Sequence, residues 1–165
     1  MKQIESYGGK KKNIGCLGCA MEKKEIDYTK GNIIKTKYFD LHQDYEVPIE
    51  AFFIISSRRH FSSVAELTDD EQKEFFKLVK KTREGMKKAL NIKEIVIFQN
   101  EASDHHFHIW LFPFHGWMRQ KSFKKKIYDL WPIIEYARAN MKTKENIEKV
   151  DESLKKMKEY MKSFK

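Results

Sequence analysis

In the stretch Asp104-His105-His106-Phe107-His108-Ile109-Trp110-Leu111-Phe112-Pro113, apolar residues alternate with imidazoles and an indole. Successive side chains of a strand point to opposite faces, so His106, His108 and Trp110 share one face while Phe107, Ile109 and Leu111 share the other. The second face suits a core. Two aligned imidazoles have little packing value, and they offer instead a nucleophile, proton donors or a metal ligand near neutral pH. Far upstream, Cys16-Leu17-Gly18-Cys19 spaces two thiols as the ligands of an ion such as Zn²⁺ are spaced, with Gly18 able to turn tightly around it. Two thiols alone leave open a pair of reduced cysteines without metal.

These residues need a scaffold, and the chain signals one. Asn32 to His42 mixes β-branched, aromatic and polar residues without Pro, which predicts two short strands. Phe52-Phe53-Ile54-Ile55-Ser56, following Pro48, predicts a strand buried on both faces, which leads into the basic turn Arg58-Arg59-His60. Thr68-Asp69-Asp70-Glu71 is a capping box, and Phe75, Phe76, Leu78, Val79, Met86, Ala89 and Leu90 continue it as one amphipathic helix ending at Asn91. Ile95 to Phe98 and Phe107 to Phe112 predict two more strands. From Lys121 to Lys165 the period is helical, with Trp131-Pro132 as a bend and Thr143-Lys144-Glu145 as a seam between two helices. Strands around one long helix, followed by helices, make an α+β domain with a mainly antiparallel sheet. The expected division is a flexible or loosely docked arm over 1–15, a domain over 16–118, and a helical extension over 119–165 packed on the same domain.

Composition narrows the partners. The 165 residues carry 33 Lys+Arg against 24 Asp+Glu, a net charge of +9, which draws anions such as phosphates. The longest apolar run, Ala51 to Ile55, is far below the roughly 20 residues of a membrane span, and the first residues lack an apolar signal core. A soluble, unexported chain in a reducing cytoplasm is the expectation. Nucleic acid is a weaker one, since the tail alternates its lysines with Glu145, Glu148, Asp151, Glu152 and Glu159 as a solvated helix face does.

Taken together, the span from Cys16 to Pro113 resembles the histidine triad (HIT) superfamily, whose signature is His-φ-His-φ-His-φ-φ with φ apolar. The match is His106-Phe107-His108-Ile109-Trp110-Leu111-Phe112, supported in order by the CxxC, the buried strand, the basic turn ending in His60 and the capped helix. It looks closest to the zinc-carrying bacterial branch. The resemblance implies a HIT-like fold, usually a homodimer, that cleaves a nucleotide or dinucleotide at its α-phosphate through a nucleotidyl-histidine. His108 would be the nucleophile. Ser103 would contact the α-phosphate, Asp44 would accept the ribose hydroxyls, and Trp110 would line the substrate. A structural Zn²⁺ would be held by Cys16, Cys19, His60 and His106. Three positions depart from the family pattern: Trp110 replaces the third histidine, Phe52 a histidine common in the buried strand, and Ala102 a glutamine. An indole donates but cannot accept a proton, so the implied function divides between a nucleotide hydrolase or nucleotidyltransferase and a catalytically weak or inactive nucleotide-binding module.

Overall fold

The computed structural model describes residues 1–102, 106–120 and 130–164. Lys2–Glu5 (β1) and Lys11–Ile14 (β2) pair as an antiparallel hairpin. Their buried Ile4 and Ile14 join Ala20, Ile26 and Tyr45 in a small core, and Tyr7 N–H donates to Tyr45 O at 2.9 Å, so the N-terminal arm is docked on the domain. The short helix Leu17–Glu22 (α1) follows, with Cys16 as its N-cap.

Asn32–Lys35 (β3), Phe39–Gln43 (β4), Phe53–Ser57 (β5), Ile95–Phe98 (β6) and His108–Pro113 (β7) form one sheet in the spatial order β3-β4-β5-β7-β6. Every neighbouring pair is antiparallel. This is the α+β fold expected from the strand and helix signals. Register sets the faces: Ser56 lies opposite His108, Ile54 opposite Trp110, and His42 opposite Ile54, so these residues share one side. Leu41, Ile55, Ile109 and Leu111 share the other.

The second side is covered by two helices. Asp69–Lys88 (α2) starts at the capping box, where Glu71 N–H donates to Thr68 Oγ1 at 3.4 Å and Thr68 N–H donates to the Glu71 carboxylate at 2.8 Å. It ends at Lys88, short of the expected Asn91, which is left-handed at φ 56°, with Ile92 N–H returning to Met86 O at 2.8 Å. Its Phe75, Leu78 and Met86 meet the sheet together with Val150, Leu154, Met157 and Met161 of Lys144–Met161 (α5). Gly85 makes that approach possible, because a Cβ there would lie 2.7 Å from the Tyr160 ring.

On the histidine side lie Gly116–Gln120 (α3) and Trp131–Asn140 (α4). Ile133, Ile134 and Ala137 of α4 pack with Phe52, Ile54, Phe112 and Met118. Pro132 stands in the first turn of α4, where its missing N–H costs no hydrogen bond, so Trp131-Pro132 starts a helix where a bend was predicted. The seam at Thr143 is an N-cap as expected, its Oγ1 accepting Asn146 N–H at 3.3 Å.

Candidate functional site

Two backbone hydrogen bonds lace the exit of β5 to the entry of β7: Ser57 N–H to Phe107 O at 3.0 Å and Phe107 N–H to Phe61 O at 2.5 Å. They bring His60 beside His106, ring centroids 5.2 Å apart. The Arg58 and Arg59 side chains that flank this turn are tied down. Arg58 donates to Thr36 O, Lys37 O and Glu22, and Arg59 grips both carboxylate oxygens of Glu71 at 2.6 and 2.9 Å. With the Thr68 cap, Arg59 holds the Glu71 carboxyl down to about 2.

Into this corner α1 brings the two thiols. The ligand atoms of Cys16, Cys19, His60 and His106 lie within 4.8 Å of one another. The four sulfur-to-Nδ1 separations are 3.8 and 3.3 Å from Cys16 to His60 and His106, and 3.2 and 3.7 Å from Cys19 to the same rings. A tetrahedral Zn²⁺ with ordinary Zn–S and Zn–N bonds needs such edges at about 3.5 Å. The tautomer fits too. His106 Nε2–H donates to Ser57 O at 2.7 Å, which leaves the Nδ1 lone pair aimed at the thiols. Burial shifts His106 toward its neutral form, and burial beside the Cys16 sulfur pushes the Cys19 thiol up, against which a bound cation would favour the thiolate. Gly18 also serves here, although its φ is not in the left-handed region. A Cβ would stand 2.6 Å from the His106 imidazole, so any side chain would displace a ligand. The donor set fits a closed structural zinc site.

His108 follows on β7. Its Nδ1–H donates to the His106 backbone carbonyl at 2.8 Å, so the lone pair resides on Nε2. Trp110, two residues on, packs its ring 6.4 Å from His108. Asp44 lies one residue beyond β4, where its Oδ1 accepts the N–H groups of Glu46 at 2.9 Å and Val47 at 2.8 Å, organising the turn that feeds β5. Burial lifts its carboxyl to about 6 against those two donors. Ser103, and with it His105, lies outside the described residues. His115 Nε2 pairs with Glu50 O at 2.8 Å.

Sequence reasoning missed a polar half of the histidine face. His42 is buried on it, donating from Nδ1 to Gln43 O at 2.8 Å, so Nε2 takes a hydrogen from Ser56 Oγ at 3.3 Å. Burial holds this imidazole neutral, down to about 4. Asp40, opposite Ser56, completes a row of Asp40, Ser56 and His108 across three strands. Its carboxyl is lifted to about 6 by burial, and one oxygen has no hydrogen-bond partner. The signal was present: Asp40 and His42 alternate with Phe39 and Leu41, a polar period of two in a strand.

The fold is that of histidine triad proteins. A HIT-like protein involved in cell-cycle regulation from Bartonella henselae superposes with a TM-score of 0.61 at 14% identity over 90% of this chain and 98% of that one. A hypothetical histidine triad nucleotide-binding protein from Sulfolobus tokodaii gives 0.58 at 18% identity, covering 91% and 99%. A Zn-bound histidine triad family protein from Mycobacterium smegmatis gives 0.59 at 11% identity, covering 92% and 98%. No family model matches the chain, and no curated protein matches it in sequence.

Proposed function

We propose that this chain is a zinc-stabilised nucleotide hydrolase or nucleotidyltransferase of the HIT type. The observation that carries the reading is the His108–His106 hydrogen bond. It fixes the tautomer in which Nε2 is the nucleophilic nitrogen. Nε2 attacks an α-phosphorus, a P–N bond forms, and the bond from phosphorus to the leaving group breaks with its electron pair. Water or another acceptor then displaces His108 and regenerates the imidazole. Asp44 and Ser103 place the nucleotide in this reading. Cys16, Cys19, His60 and His106 would hold a Zn²⁺ that supplies rigidity, since four protein ligands would leave the ion no open position.

Trp110 limits the chemistry. Its indole cannot act as an acid–base imidazole, so leaving groups stable as anions, such as a diphosphate, leave more readily than amines or alkoxides. The same feature supports a second reading, a nucleotide-binding module without turnover, because Trp110 is built into an aromatic cluster.

The partner set follows. β6 is an edge strand, and exposed Ile97, together with exposed Phe76 of α2, supports pairing with a second copy of the chain. Nucleic acid is disfavoured by the ion pairs of the tail, Lys149–Glu145 and Lys156–Glu152, both at 2.7 Å. Among the described residues no helix is long and apolar enough to cross a membrane. Two thiolates kept for zinc suit a reducing compartment such as the cytoplasm.

The test is intact-protein mass spectrometry at neutral pH of wild type and His108→Ala, mixed with dinucleoside polyphosphates, nucleoside phosphoramidates and nucleotide sugars. A nucleotidyl mass on wild type alone is expected. No adduct and no released mononucleotide, with nucleotide affinity retained, would move the assignment to the binding module.

A further inference from the structure

Trp110 stands among four rings on the face that carries His108. Centroid distances are 6.4 Å to His108, 5.4 Å to Phe52, 5.4 Å to Phe98 and 5.9 Å to Trp131. Phe52 is wholly buried in the packing beneath α4. Phe98 and Trp131 differ from it, keeping 38% and 54% of their surface in solvent. Helix α4 does not need Trp131 for its seat, which is made by Ile133, Ile134 and Ala137. An indole left half in water against Trp110, the ring next to His108, is open binding surface, since aromatic rings gain from both burial and stacking.

His108 lies between two unlike halves of this face. Toward β4 stand the polar side chains Asp40, His42 and Ser56, with Asp44 beyond them. Toward β6 and α4, among the described residues, stand the rings of Phe98, Trp110 and Trp131. A substrate whose phosphorus sits at His108 has two halves, and the nucleoside half matches the polar side. We propose that Trp131 and Phe98, flanking Trp110, form an aromatic subsite for a planar ring carried by the leaving half of the nucleotide. The proposal rests on the nucleotidyl-transfer reading above and narrows its substrate class. The ring is supplied by a second nucleobase or by an aryl group, and stacking accepts both because each has a π face.

The experiment is titration calorimetry on the zinc-loaded wild type and on Trp131→Ala and Trp131→Leu, the latter keeping apolar bulk without a π face. The probes are AMP, AMP esterified with 2-phenylethanol or with butanol, and diadenosine triphosphate with His108→Ala used to prevent turnover. The phenylethyl ester is expected to bind roughly tenfold more tightly than the butyl ester, and both Trp131 variants to bring the two within about twofold while leaving AMP unchanged. A matching Trp131-dependent gain with diadenosine triphosphate identifies a nucleobase as the source of the ring, and a gain confined to the phenylethyl ester identifies an aryl group. Equal affinity of the two esters for wild type, or equal weakening of AMP and both esters in the variants, overturns the subsite and leaves the nucleotide reading standing. No binding of AMP at all overturns that reading, and the subsite with it.

Discussion

The backbone carbonyl of His106 accepts the Nδ1–H of His108 at 2.8 Å, while the imidazole of His106 faces Cys16 and Cys19. The residue that completes the metal pocket is thus the one that sets the tautomer of the nucleophile. Anything that moves the His106 peptide changes both.

Zinc removal is therefore expected to cost stability and activity together. Chelation, or Cys19→Ser, should lower the metal content from one ion per chain toward zero. With zinc at about a thousand times its Kd, the lost stabilisation is about 4 kcal/mol, or roughly 10 °C in Tm. Elemental analysis paired with thermal denaturation checks this. A chelated protein with unchanged Tm would show that the four ligands hold no stabilising ion.

Restoring an imidazole at the third motif position separates the two functional readings. Trp110→His should raise turnover of a nucleoside phosphoramidate by about 10²-fold or more, with a much smaller effect on a dinucleoside polyphosphate whose leaving group needs no proton. It should also cost about 1–3 kcal/mol of stability through lost contacts with Phe52, Phe98 and Trp131. Steady-state kinetics on the two substrates decide, and an equal change on both would count against a leaving-group role for this position.

His42 gives the fold a pH dependence with a definite sign. Its folded value, about 4, lies below the ordinary histidine value near 6.5, so between these limits the unfolded chain binds the extra proton. Its contribution is full above about pH 6.5 and is lost as pH falls toward 4, by at most about 1.4 kcal/mol per unit. Asp40 and Asp44, lifted to about 6, act oppositely: their contribution is full below about pH 4 and is lost as pH rises through 6. His42→Phe should therefore gain stability relative to wild type as pH drops from 6.5 to 4 in urea unfolding. A constant difference across that range would exclude burial of a neutral imidazole.

Oligomeric state is read at β6. Ile97→Lys places a charge on an exposed position of the edge strand and should convert a dimer into a monomer in light scattering, with little loss of monomer stability. A wild type that is monomeric at micromolar concentration would remove the edge-pairing proposal outright.

The sheet and the long helix were legible because period-two and period-3.6 patterns are written in neighbouring residues. Phe53 to Ser57 and the Thr68 box needed no tertiary information. The zinc corner was legible only through resemblance, since no local pattern links Cys19 to His60 across 41 positions. What escaped depended on which half of a face a helix covers. His42 was visible as a residue, but its value as a neutral acceptor for Ser56 comes from burial and from a register pairing two strands. The N-terminal arm escaped similarly: Ile4 and Ile14 are isolated apolar residues in a lysine-rich stretch, and only a hairpin brings them to one side.

Beyond Met118 the chain crosses from one side of the sheet to the other, α4 lying on the histidine face and α5 on the face of α2. During synthesis, then, the strands are all made while both of their sides still lack part of their apolar cover. The ribosome must release Met161 before the second core can close, and until then the flank of α2 and β3 that α5 covers stays open to water.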